Sequence, residues 1–224
     1  MKKKPFFLVI VVCVCLFAAV FIGVSVSERF NAHNQTGEPF KEATEQDNVG
    51  AAESDGSLLL AEFRGEKVYQ ADVEYYHKMN QLFSAGDGDT QTTQEILTEI
   101  LQNVVLFHEA QRLGYAATQE EIDAMVENAA LSYSMPEGKE MIEQYCEAAN
   151  ITVDEYFAYL EAQAPRVIAR QKLLDAVGKE FCEEHGLAFT KVNPPKEMIA
   201  AREAYIAQLF SQAEDEIIYY TDAG

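Results

Sequence analysis

Basic residues, histidine and cysteine are all scarce in this chain. Its 224 residues carry 17 lysines and arginines against 37 aspartates and glutamates, a formal net charge of -20. Such a balance repels nucleic acid, whose binding depends on clustered cations, and it repels anionic lipid headgroups for the same reason. Of the 4 cysteines, Cys13 and Cys15 lie deep in an apolar run. Val12 and Val14 stand where a lipobox needs a small residue, so both thiols read as apolar filler. Cys146 and Cys182 remain; they could pair in an oxidising compartment, but two cysteines do not make a disulfide framework. The histidines His33, His77, His108 and His185 stand apart, with no His-Glu-x-x-His and no clustered carboxylates, so no zinc site is expected. His108 reads as a satisfied core histidine. No Gly-x-Ser-x-Gly, P-loop or Gly-x-Gly-x-x-Gly occurs. Gly86-Asp87-Gly88-Asp89 has the composition of a calcium loop but lacks the other alternating ligands and the closing glutamate. The sequence therefore assigns no catalytic residue, no metal and no cofactor.

What is present begins at the N-terminus. Phe6 to Val24 form one uncharged apolar run broken only by Gly23, preceded by Lys2, Lys3 and Lys4. About 20 apolar residues span a bilayer, and lysines on the N-terminal side hold that end in the cytoplasm. The expectation is a single-pass signal-anchor over residues 1–27, with everything from about Glu28 onward extracytoplasmic. The rival is a cleaved signal peptide ending near Ser27, although an h-region normally runs only ~7 to 15 residues. Residues 28–57 are polar and cannot bury enough surface to fold alone, so they read as a flexible tether with a reach on the order of 30 Å. The folded domain is expected over residues 58–224.

Within that domain, Leu58 to Tyr69 reads as a short hairpin turning at Gly65-Glu66. Helical spacing follows. Val73, Tyr76, Met79 and Phe83 mark an amphipathic helix over 71–85. Thr92 with Glu95, Thr118 with Glu121 and Thr152 with Glu155 form capping boxes that open three further helices. The first of these carries the widest apolar arc, from Ile96 to Phe107, and stops at Leu113-Gly114. A shorter helix spans 136–149. The helix opened by Thr152 is expected to kink or break near Pro165 and to resume toward His185-Gly186. After Asn193-Pro194-Pro195 a last helix leads into Glu216 to Tyr220, whose composition is that of a strand. A lone terminal strand leaves its backbone groups unpaired, so its natural partner is the hairpin. The fold class is mainly α with a small β element.

The segment Ala61-Glu62-Phe63-Arg64-Gly65-Glu66-Lys67-Val68-Tyr69-Gln70-Ala71-Asp72-Val73 resembles the entry to the N-terminal chaperone domain of the SurA and PrsA family. Ile96 to Ala110 with Leu113-Gly114-Tyr115, Thr118 to Ile122, and Asn150 to Tyr156 are similar to that family's central helix and its next capped helices. Order and spacing over residues 58–220 carry the resemblance, since each motif alone is only a cap or a glycine stop. It implies a helical chaperone fold. Relatives usually place parvulin-type prolyl isomerase modules between the long helix and the closing helix. Here the corresponding stretch, about 178–195, is far shorter than the ~50 residues a domain needs. The chaperone fold is therefore expected without the isomerase.

The remaining site is a surface. Tyr75, Tyr76, Met79, Phe83, Met125, Tyr133, Tyr156 and Tyr159 supply amphipathic and flexible apolar groups that suit a groove accepting many apolar sequences. The same residues equally suit packing between helices. The expected function is ATP-independent binding of apolar segments of unfolded or secreted polypeptides, tethered to the membrane through the N-terminal helix. Alternatives are a foldase with residual isomerase activity and an adaptor dedicated to one envelope protein.

Overall fold

The computed structural model describes residues 57–83 and 91–220, and within the first stretch the side chains of 81–83 are not described. The expected anchor over 1–27, nearly all of the tether and the 86–89 loop lie outside the described residues. Among the described residues no helix is long and apolar enough to cross a membrane.

The chain enters through a hairpin, β1 (Leu59–Phe63) and β2 (Glu66–Tyr69). Its register pairs Phe63 with Glu66, so the loop is Arg64-Gly65 rather than Gly65-Glu66. Both loop residues have positive φ, 50° and 86°, the mirror-image turn whose twist matches that of the flanking strands. An irregularity between Leu59 and Ala61 inserts Leu60 into β1. It breaks the two-residue alternation, which is why Leu59, Leu60 and Ala61 are all buried.

Helix α1 (Gln70–Phe83) starts directly from β2. Leu58 O accepts from the Gln70 N–H at 2.8 Å, and Ser57 Oγ accepts from the Ala71 N–H at 3.0 Å. Two amides that a helix start leaves orphaned are thereby satisfied. Asp72, 1 % exposed, accepts from the Tyr69 N–H at 2.7 Å and fixes the turn into the helix.

Three capping boxes open α2 (Thr93–Arg112), α3 (Gln119–Tyr133) and α5 (Val153–His185), in each case with both reciprocal hydrogen bonds formed. Helix α4 (Pro136–Ala149) begins with proline, whose missing N–H costs nothing at that position, and ends at Asn150 in the left-handed region. Helix α6 (Lys196–Ala213) leads through a 3-10 turn, Glu214–Glu216, into β3 (Ile218–Tyr219). β3 pairs antiparallel with β1, giving a three-stranded sheet in the order β2-β1-β3. The described part of the chain is thus mainly helical with one small antiparallel sheet.

Helix α5 runs unbroken through Pro165 over 33 residues, about 50 Å at 1.5 Å per residue. The break expected there does not occur. Pro165 frees the carbonyl of Glu161, and Glu161 is exposed, so water can take that group. Leu160, Ala164, Val167 and Ile168 are buried on either side and hold both halves to the core.

Helix α2 is the centre of the molecule. Ile96, Leu97, Ile100, Leu101, Val104 and Val105 pack with the sheet, α1 and Ile217. Further along, Leu106 and Ala110 meet Ala169 and Leu173 of α5, with Tyr205, Ile206 and Leu209 of α6 packed against them. Gly138 brings α4 against the end of α3 so closely that an added Cβ would lie 2.1 Å from the Ser132 carbonyl oxygen. Cys146 and Cys182 are both buried and both free, so the pairing that the sequence left open is not formed.

Candidate functional site

Most of the aromatic and methionine candidates gather where α1, α3, α4 and α5 meet. Met79, Ile142, Tyr145, Cys146 and Tyr156 form a buried cluster, and Tyr75, Tyr133 and Phe157 pack against it. Its rings meet edge to face: Tyr145 with Tyr156 at 5.3 Å, Tyr156 with Phe157 at 5.2 Å, and Phe157 with Tyr133 at 6.0 Å. The Tyr75 and Tyr145 hydroxyls share a short hydrogen bond. Phe157 also joins Met125 and Tyr159 around a second small core of Ala129 and Leu160.

These positions differ in what they can offer a ligand. Met79 and Tyr156 are 1 % and 3 % exposed, so they are core residues rather than groove lining. Tyr76 belongs to another cluster, against α2 and the sheet, and is also buried. Its hydroxyl donates to Glu99 Oε1 at 2.7 Å. Burial, reinforced by the Glu99 carboxylate, raises its pKa well above the usual phenol value. Neighbouring elements enclose each of these three side chains, α3 to α5 around Met79 and Tyr156 and the sheet with α2 around Tyr76. Tyr75, Met125, Tyr133 and Tyr159 are half-buried and keep part of their surface at the periphery of this junction. The side chain of Phe83 lies outside the described residues.

A second grouping was not read from the sequence. Gln163, Arg166 and Arg170 fall three and four residues apart on α5, hence along one stripe of the helix. Arg166 Nη1 pairs with Glu66 Oε2 of β2 at 2.5 Å. On its other side, Glu66 Oε1 lies 3.0 Å from His108 Nε2 of α2, a close contact that is off the line of a well-formed hydrogen bond. The His108 ring also meets Phe63 edge-on at 5.4 Å, and Arg166 stacks over Phe107 at 4.7 Å. Burial pushes the Glu66 carboxyl up, but contacts with His108 and Arg166 outweigh it and hold its pKa below the usual carboxylate value. Arg170 is 5 % exposed, with the Arg166 and Glu66 charges and the Tyr76 and Tyr159 phenols acting on it. Burial lowers its guanidinium to about 10, so it stays charged at neutral pH. Gln163 Oε1 is buried without a partner. The signal available in the sequence was this polar stripe interrupting the apolar Val167-Ile168 run of a long helix.

Chemically, this seam is a structural clasp. It joins β2, α2 and α5 through one carboxylate. Two shallow surface clefts, of about 470 and 440 Å³, are lined mostly by polar and acidic residues of α4 and of α2. Neither holds any of the aromatic candidates. Among the described residues no group of histidine, cysteine and carboxylates is placed to hold a metal ion. Comparison of the chain with protein-family models, with curated proteins and with solved structures finds no match.

Proposed function

We propose that this chain is a membrane-anchored, extracytoplasmic chaperone-like protein of the SurA and PrsA type, without the isomerase module. It holds apolar segments of unfolded or secreted polypeptides and needs no nucleotide. The observation that supports this reading best is the order of elements. A hairpin leads into α1, the capped α2 and the long α5; after only a short connection, α6 carries the chain to β3, which returns to the hairpin. The partly exposed Tyr75, Met125, Tyr133 and Tyr159 supply adaptable apolar contact at a helix junction, the kind of surface a weak, reversible holdase uses. The acidic exterior keeps bound clients soluble and favours basic ones.

The deciding experiment is suppression of aggregation of several unrelated, chemically denatured proteins by the full-length chain in lipid nanodiscs. Nucleotide is omitted, the ratio is near-stoichiometric, and empty nanodiscs serve as the blank. Suppression across the panel is the expected result, together with no acceleration of prolyl peptide isomerisation. Suppression confined to one envelope protein would replace the general holdase with a dedicated adaptor, and acceleration of isomerisation would replace it with a foldase.

A further inference from the structure

The sheet order β2-β1-β3 leaves β3 at an edge. The opposite edge strand, β2, is engaged by α2 and α5 through Glu66. The Tyr220 N–H donates to Leu60 O at 3.0 Å, and Ala61 stands opposite Tyr219. In an antiparallel ladder the bonded residues alternate, so Ile218 and Tyr220 direct their backbone groups at β1. The N–H and C=O of Tyr219 then point the other way, to the outer edge, and among the described residues no strand pairs there. Natural edges are commonly guarded by shortness, lysine, proline or a bulge. β3 is short, with two residues, but carries no lysine, proline or bulge. Its Ile218 and Tyr219, with Tyr220 just after, are 53 %, 44 % and 41 % exposed, the densest run of exposed large apolar residues in the described chain.

The flanking charge selects the occupant. Glu214 and Asp215 precede the strand on the exposed side and have no ion pair among the described residues, whereas Glu216 is held by Arg64 at 2.8 Å. A second copy would bring the same uncompensated acids together, on a chain of net charge -20, so self-pairing is disfavoured. An extended apolar segment flanked by lysine or arginine suits both the backbone edge and the charge.

We propose that the outer edge of β3 takes up an extended, basic-flanked apolar segment of an unfolded polypeptide as a fourth strand. Main-chain hydrogen bonds at Tyr219 supply an affinity that tolerates many sequences. The neighbouring apolar side chains and the acids of the preceding turn supply the preference. This inference rests on the chaperone reading and gives that reading a docking place separate from the aromatic junction.

The test uses the full-length chain in lipid nanodiscs and a short fluorescent peptide alternating valine and threonine between pairs of lysines, with anisotropy as the readout. Tyr219→Pro removes the outward N–H and sets a ring against the incoming strand, while the bonds of Ile218 and Tyr220 to β1 remain. Its binding should weaken about tenfold, the scale of losing one or two main-chain bonds, and Tyr219→Phe should bind as the parent does. Independently of any variant, N-methylation of alternate peptide amides in one parity should abolish binding and in the other parity should leave it intact, because only one face of the peptide pairs. Equal loss for both parities, or unchanged binding by a folded Tyr219→Pro chain, would overturn the proposal while leaving the holdase reading in place. Absence of both peptide binding and aggregation suppression in the parent chain would overturn both. Dimerisation of the parent that Tyr219→Pro abolishes, without peptide binding, would assign the edge to a second copy and overturn the proposal.

Discussion

Replacing Glu66 with glutamine should destabilise the domain by about 2 to 3 kcal/mol. The carboxylate is 23 % exposed and contacts Arg166 at 2.5 Å and His108 at 3.0 Å. Fully exposed pairs are worth roughly 0 to 1 kcal/mol, and breaking a fully buried pair costs about 3 to 5. A group about four-fifths removed from water falls toward the upper range, and the His108 contact is poorly aligned, which lowers the figure again. Glutamine preserves the size but leaves Arg166 without its counter-ion and removes the Glu66 charge that favours the nearby Arg170 guanidinium. For a folded part of this size the loss corresponds to a fall in melting temperature of about 5 to 10 °C. Urea unfolding of parent and variant measures it, with Glu121→Gln as the comparison, because the Lys172–Glu121 pair is 32 % and 38 % exposed. That control should cost below about 1 kcal/mol.

A pH arm adds an independent test of the same seam. The folded-state pKa of Glu66 lies below its unfolded value, so its contribution is fully present above the ordinary carboxylate pKa near 4.5 and is lost as pH falls through the lower folded value. The parent should therefore lose more stability than Glu66→Gln between about pH 5 and pH 3. A cost below about 0.5 kcal/mol at pH 7, or parallel pH curves for the two proteins, would refute the reasoning.

Three further outcomes follow from local geometry. Gly138→Ala should destabilise by about 1 to 3 kcal/mol, because the new methyl would sit 2.1 Å from Ser132 O unless α3 and α4 move apart; thermal unfolding measures it, and a neutral result would mean the contact relaxes freely. Thr152→Ala should cost about 1 kcal/mol, since the threonine side chain accepts from the Glu155 N–H at 3.2 Å and Glu155 Oε2 accepts from its N–H at 2.7 Å. Hydrogen exchange should show the loss concentrated in the first turn of α5. Pro165→Ala should raise the melting temperature, because alanine restores a helical hydrogen bond to Glu161 and no turn depends on the proline; a lower melting temperature would show that Pro165 has a role in packing.

Local signals carried far in this chain. Capping boxes at Thr92, Thr118 and Thr152 place helix starts because the threonine hydroxyl and the glutamate three residues on satisfy each other's neighbours without help from the rest of the fold. Leu113-Gly114 and His185-Gly186 mark ends for the same reason, as glycine enters the left-handed region freely. The pairing of a terminal strand with the hairpin was also legible, because an isolated strand must find partners for its backbone.

Pro165 shows where local rules give out: its preference for ending a helix is real, yet buried residues on both flanks, with the freed carbonyl belonging to the exposed residue Glu161, outweigh it. The candidate site was legible only in composition. Spacing gathers tyrosine and methionine on helix faces but cannot tell whether another helix covers them, so Tyr76, Met79 and Tyr156 became core while Tyr75, Met125, Tyr133 and Tyr159 kept an open side. The sequence by itself determined the elements, their caps and the acidity of the surface, all of which depend on residues close along the chain or on a simple sum of charge. Tertiary structure alone decided that Glu66, His108 and Arg166 share one clasp and that no strand among the described residues pairs with the outer edge of β3, because each depends on segments far apart in sequence being brought, or not brought, into contact.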